Sequence, residues 1–291
     1  AGRYRVQCKP GMAGEGISAT LTVTAGGTGS GGDARATGSA TAPADPRLAG
    51  AVDRYRSYVA AQVEDSLAGA RQLARVIRAG ELAAARAAYA PSRVGWERIE
   101  PVAESFGDLD PRVDARQADV PAGEPWAGWH RIEQGLFARG TTAGLAPVAD
   151  QLVADLSELA SRVPDAVITP TSMANGAKEL LDEVATTKVT GEEEAFSHTD
   201  LVDMAANVAG ARRVVDLLRP VAEQRDPRLV EQIDRRFEAL TTLLDTHRDP
   251  DAPGGYVAYD TVEPPARRAL SDAVNALAEP LSGLAGAVAG V

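Results

Sequence analysis

Leu48, Val52, Tyr55, Val59, Val63 and Leu67 recur at three- and four-residue spacing, the period of one helix face rather than the alternation of a strand. Asp45 and Pro46 stand directly before this run and supply an N-cap and a first-turn proline, so a long amphipathic helix is expected to begin there. The pattern returns, with breakers between, around 81–90, 92–106, 126–138, 145–163, 171–189, 192–219, 227–247 and 264–288. Short connections between long amphipathic helices favour antiparallel neighbours. The expected fold is therefore all-α: two antiparallel four-helix bundles, about 45–165 and about 166–291, joined near Pro164 to Pro170. With 291 residues, each half is long enough to bury a core.

The first residues read differently. Tyr4-Arg-Val-Gln-Cys8 and Ile17-Ser-Ala-Thr-Leu-Thr-Val-Thr24 are two short β-runs around a Pro-Gly turn, so 1–25 is expected to be a β-hairpin. A lone hairpin is marginal in water, which suggests the last strands of a larger domain. The stretch 26–44, rich in Gly, Ser and other small residues, has the composition of a flexible linker. The chain begins at Ala1 with no signal peptide, so it is expected to be mature, trimmed or a fragment. Cys8 is the only cysteine, so no internal disulfide framework is possible.

The net charge of −11, with no basic stripe, argues against nucleic acid as a partner and favours cations. No apolar run approaches the roughly 18–20 residues of a membrane span. A His-Glu-x-x-His zinc motif, a Gly-x-Ser-x-Gly elbow and a phosphate loop are all absent from the sequence.

Three clusters remain that can carry chemistry. In Trp126-Ala-Gly-Trp129-His130-Arg-Ile132-Glu133-Gln-Gly-Leu136-Phe137, His130 and Glu133 share one helix face, Glu133 inside the apolar arc and His130 at its margin. A carboxylate aimed into a core needs an arginine, a hydrogen-bond network or a metal ion; so short a pattern also arises by chance around an ordinary core histidine. In Trp96-Glu97-Arg-Ile99-Glu100-Pro-Val-Ala-Glu104-Ser-Phe106, three acids line one stripe, with Glu100 closest to the buried edge. Their mutual repulsion would be reversed by a cation, although a solvated charged face is the simpler reading. In Gly191-Glu192-Glu193-Glu194-Ala-Phe196-Ser-His198-Thr-Asp200, an acidic helix start carries a second histidine, and dipole complementarity alone explains such acids. Asp108, Asp110 and Asp114 lie in the connection before the His130 helix and offer an oxygen ligand, with Asp114 preferred; His247 reads as a helix-end residue. One imidazole with several carboxylates suits Fe, Mn, Zn or Cu(II) and not Cu(I).

Gly128-Trp-His130-Arg-Ile-Glu133 resembles the Gly-x-His-x-x-Glu signature of imelysin-like proteins, in particular the EfeO branch, and the 96–107 and 191–200 blocks resemble two further blocks of that branch in the same order. The resemblance spans about 45–290. It implies a periplasmic or cell-surface protein of two four-helix bundles that binds iron, as Fe2+ or Fe3+, for an uptake system with a membrane permease and a haem-type peroxidase. Zn or Cu is possible at the same site. Carried over by position, the metal site falls on His130 and Glu133, with Glu100 and Glu97 from the upstream block, Glu193 from the glutamate run, and Asp114 before the signature helix; Asp119 remains an alternative in that loop. Cys8-Lys-Pro-Gly-Met12 resembles the tail of a cupredoxin-like domain lacking most copper partners. The imelysin name also implies a metallopeptidase alternative, with Glu133 or Glu100 as base for a metal-bound water.

Overall fold

The computed structural model describes residues 2–8, 17–23 and 45–290, the side chains of the first two segments and of Glu104 excepted. Strand β1 (Gly2–Cys8) pairs antiparallel with β2 (Ile17–Val23), Gly2 opposite Val23 and Cys8 opposite Ile17, which is the expected hairpin. The Lys9–Met12 turn and the 26–44 linker lie outside the described residues. Residues 1–43 and 44–291 are separate compact units.

The second unit is all-α. Helix α1 (Pro46–Arg78) starts as expected: Asp45 accepts a hydrogen bond from the Arg47 amide and Pro46 occupies the first turn. Tyr55, Val59, Val63 and Leu67 are buried along one stripe, at about 2 kcal/mol for each large side chain removed from water. Helix α2 (Leu82–Ile99) runs straight through Pro91, where a break was expected. Pro91 and Ala87, whose carbonyl loses its partner, both lie on the exposed face, where the freed group is open to solvent, while α1 and α7 hold the buried side. The chain then tightens into a 3₁₀ turn, Glu100–Phe106.

Helix α5 (Ala146–Arg162) lies along α1, and α3 (Leu109–Asp114) and α4 (Gly128–Glu133) pack on α5 and on each other. After Pro164 come α6 (Pro170–Thr186), capped by reciprocal Thr169–Ser172 hydrogen bonds, α7 (Asp200–Arg225), α8 (Pro227–Asp245), α9 (Pro264–Leu281) and α10 (Leu284–Ala289). Helix α6 packs on α7 and α9, and α8 packs on α7 and α9.

Helix α7 also lies against α2, and Gly210 permits the approach: a Cβ there would stand 2.3 Å from the Arg98 carbonyl oxygen. That contact sets Asn207 of α7 beside Glu97 and Glu100. The expected helix over 192–219 is corrected at its start. Gly191–Thr199 is an irregular segment and the helix begins at Asp200, because Glu193 and Glu194 are drawn inward instead of lining an exposed first turn.

Candidate metal centre

The centre is assembled by close approach of short elements. Gly128 has φ +78°, and a Cβ on it would stand 2.3 Å from the Val113 carbonyl oxygen, so only glycine lets α4 begin against the end of α3. Asp114, the last residue of α3, is thereby brought to His130. Trp96 Nε1 donates to Asp114 Oδ2 at 2.8 Å, and Trp129 Nε1 donates to Ser92 Oγ at 3.0 Å, fixing both indoles under the site. Past Glu133 the helix widens into a π turn, Gln134–Ala138, a distortion that often marks functional positions.

His130 is 1% exposed and lies between two sets of oxygens. Its Nδ1 is 3.1 Å from Glu133 Oε2 and 3.8 Å from Glu194 Oε1. Its Nε2 is 3.5 Å from Asp114 Oδ1 and 3.8 Å from Glu193 Oε1, and has no hydrogen-bond partner. The candidate ligand atoms of Asp114, His130 and Glu193, and those of His130, Glu133 and Glu194, all lie within 4.8 Å of one another in each group. Glu133 is saturated: Oε1 accepts the Phe196 and Ser197 amides at 2.8 and 2.7 Å while Oε2 faces the imidazole. Glu194 accepts from the hydroxyls of Ser197, Thr199 and Tyr89.

Two internal cations balance these acids. Arg93, fully buried on α2, pairs with Glu97 and Asp114, with Glu194 at 2.9 Å and with Asp203 at 3.4 Å, and stacks over Trp129. Lys188, equally buried in the turn after α6, reaches Glu97 Oε2 at 2.8 Å, both Glu100 oxygens at 3.0 Å and Glu193 Oε1 at 3.6 Å. Neither arginine nor lysine is tolerated at such depth without partners of opposite charge.

The excess of acids shifts the titrations. Burial and Arg93 oppose a charge on His130, yet the hydrogen bond to Glu133, with the Glu193 and Glu194 carboxylates close by, pushes its pKa up to about 10. Burial beside the Glu133 charge pushes Glu194 up to about 8, and burial with Glu97 nearby puts Asp203 well above the carboxylate range. Burial opposes ionisation of Glu193 too, but Lys188 and His130 hold it well below its ordinary value. The centre thus holds protons that a bound cation would displace.

Of the residues expected from sequence, His130, Glu133, Asp114 and Glu193 converge. Glu97 and Glu100 lie one step further in, held by Lys188, and Glu97 rather than Glu100 is the fully buried one, because Glu100 begins the 3₁₀ turn at the edge of α2. The Glu104 side chain lies outside what is described. Asp119 is half exposed and pairs with Arg116, and Asp108 pairs with Arg112 and Arg162 at the surface. His198 is held outside the ligand groups at φ +58°, its carbonyl accepting the Tyr259 amide, and the structure puts His247 just past α8. Sequence reasoning missed Glu194, Arg93, Lys188 and Asp203. Neither cation carried a local signal: Arg86 and Arg98 flank Arg93 in sequence, and Lys188 stands among threonines.

The imelysin family model matches residues 51–284. The chain belongs to the imelysin family. It is 41% identical over 250 residues to the iron uptake system component EfeM of Pseudomonas syringae pv. syringae, covering 85% of this chain and 86% of that protein. It is 40% identical over 242 residues to the iron uptake system component EfeO of Escherichia coli O157:H7, covering 82% of this chain and 64% of that protein. An EfeM/EfeO family lipoprotein of Staphylococcus aureus is 41% identical over 239 residues, 81% of this chain and 84% of its own length. Gly128, His130 and Glu133 lie within the matched residues, and the α3–α4 contact sets His130 beside Asp114.

Proposed function

We propose that this imelysin-family chain carries iron outside the cytoplasm as one component of an uptake system, handing it to a membrane permease with a haem-type peroxidase as a further partner. The observation that carries the reading is the buried, unpartnered His130 Nε2 facing Asp114 and Glu193. An imidazole with two carboxylates is a hard donor set suited to Fe(II) or Fe(III), with Zn and Cu(II) as competitors. The uptake names of the EfeM and EfeO relatives favour iron among these, and the lipoprotein name of the third favours an extracytoplasmic address. Glu133, hydrogen-bonded to Nδ1, fixes the ring and raises its basicity in the way that carboxylates behind metal-bound histidines do. Glu97 and Glu100 tune the site through Lys188. The two helical groups, α1–α5 and α6–α10, are the two bundles, and the ion lies where α4 meets the segment before α7.

A hydrolase using Glu133 as base needs that carboxylate free to take a proton from water, whereas both oxygens are engaged. The test is elemental analysis with calorimetric titration of Fe, Zn and Cu into wild type, His130→Ala and Glu193→Gln, alongside a casein digest. One tight equivalent of iron in wild type, lost in His130→Ala at unchanged helicity and without proteolysis, supports the carrier; equal weak binding in all three overturns it.

A further inference from the structure

The Lys188 ammonium occupies an oxygen cage of its own. Its Nζ has Glu97 Oε2 at 2.8 Å, Glu100 Oε1 and Oε2 at 3.0 Å, and Glu193 Oε1 at 3.6 Å. Asn207 closes the cage, donating to Glu97 Oε2 at 2.9 Å and Glu100 Oε2 at 2.6 Å, while its own amide oxygen is buried and without a partner. Carboxylate oxygens are the donors that surround hard divalent cations elsewhere, and those of Glu97 and Glu100 stand at separations about 0.5 Å longer than metal–oxygen bonds. Four structural elements contribute: α2 with its 3₁₀ extension, the turn after α6, the 191–199 segment, and α7.

We propose that Lys188 is a built-in cation filling a second metal pocket beside the His130 centre, and that this lysine limits the protein to one hard metal ion where the carboxylates present would hold two. The pockets share Glu193, whose Oε1 is 3.6 Å from Lys188 Nζ and 3.8 Å from His130 Nε2. Two divalent ions that close repel strongly in a buried site; one ion and one fixed monovalent charge repel half as much. Lysine is therefore a specificity device: it holds Glu97 and Glu100 in place without letting them bind metal, and it weakens the claim of Glu193 on the cargo. The inference rests on the carrier reading only through that shared glutamate.

Lys188→Ala opens the cage and leaves the acids; Lys188→Met removes the charge but keeps the space filled. With Mn2+ as the probe, calorimetry and elemental analysis are expected to show one equivalent in wild type and in Lys188→Met, and two in Lys188→Ala, the second lost again in Lys188→Ala with Glu97→Gln. Adding His130→Ala to Lys188→Ala is expected to leave one equivalent. If wild type binds no Mn2+ while Lys188→Ala gains one equivalent, the carrier reading fails and the cage stands. A Lys188→Ala protein with wild-type stoichiometry overturns the proposal. Should the metal-free variant be unfolded by circular dichroism, refolding by Mn2+ with two equivalents bound supports the cage, and failure to refold overturns it.

Discussion

Arg93→Met is the sharpest test of how the centre is held together. Methionine keeps most of the buried stem against Trp129 and removes a charge that serves Glu97, Asp114, Glu194 and Asp203. Breaking a buried ion pair by removing one partner costs about 3–5 kcal/mol. Proton uptake sets the ceiling. An acid left without its cation can neutralise itself, and for a carboxyl with an unfolded pKa near 4.3 that costs about 1.4 kcal/mol per pH unit above it, or about 4 kcal/mol at pH 7 and about 1 kcal/mol at pH 5. The folded variant then binds a proton that the unfolded chain has released, so its stability relative to wild type falls as pH rises. Urea denaturation of the chelated proteins is expected to give a deficit of about 4 kcal/mol at pH 7 that shrinks to about 1 kcal/mol at pH 5, with unchanged denaturant slope. A deficit below 1 kcal/mol at pH 7, or one independent of pH, would show that Arg93 does not neutralise the cluster.

The chelated wild type is expected to lose stability steadily from about pH 4.5 to about pH 10. Folded Glu194 keeps its proton to about pH 8 against an ordinary value of 4.5, and His130 keeps its own to about 10 against 6.5, so both contributions vanish as pH rises; melting curves across this range check it. Metal affinity is expected to move the opposite way, strengthening over the same range as the ion displaces these protons, which titrations in two buffers of different ionisation enthalpy detect as proton release. Asp114→Asn is expected to weaken iron binding at least tenfold while Asp119→Asn leaves it unchanged, and equal effects in calorimetry would place the ligand loop wrongly. Gly128→Ala forces a side chain into a left-handed conformation and against the Val113 carbonyl, so a loss of about 2 kcal/mol or more is expected in thermal melts, together with weaker metal binding as Asp114 and His130 are pushed apart.

What the sequence revealed and what it hid follow from the range over which each feature is decided. The α1 start at Asp45–Pro46 and its buried stripe are local, set by capping and by a 3.6-residue period, and both are legible. Pro91 misled because its cost is paid locally while the packing of α2 between α1 and α7 is not visible along the chain. The same limit explains the glutamate run. Charges before a helix ordinarily favour its positive end, and nothing within 191–200 shows that Glu193 and Glu194 instead meet Arg93, Lys188 and His130 from distant elements. His130 and Glu133 were legible because helical spacing alone places them together. Arg93 and Lys188 were not, since a buried base is recognised only once its partners are in space around it.

The closure of the centre bears on how a carrier loads and unloads. His130, Glu133, Glu193 and Glu194 are each at most 5% exposed, so an ion reaches them only if something moves. The 191–199 segment is the element whose displacement would open the site: it contributes Glu193 and Glu194, and its amides at Phe196 and Ser197 hold Glu133. It leaves Gly191 at φ +82° and reaches His198 at φ +58°, where Tyr259 fastens it by accepting none of the load from the metal ligands themselves, donating its amide to the His198 carbonyl at 2.8 Å and its hydroxyl to the Val189 carbonyl at 2.5 Å. Glu193 and Glu194 both ride on this segment while His130 stands on α4 and Asp114 on α3, so a displacement of it would part the two glutamates from the histidine and the aspartate together. Under the carrier reading proposed above, that is the change of distance which loading and release would need.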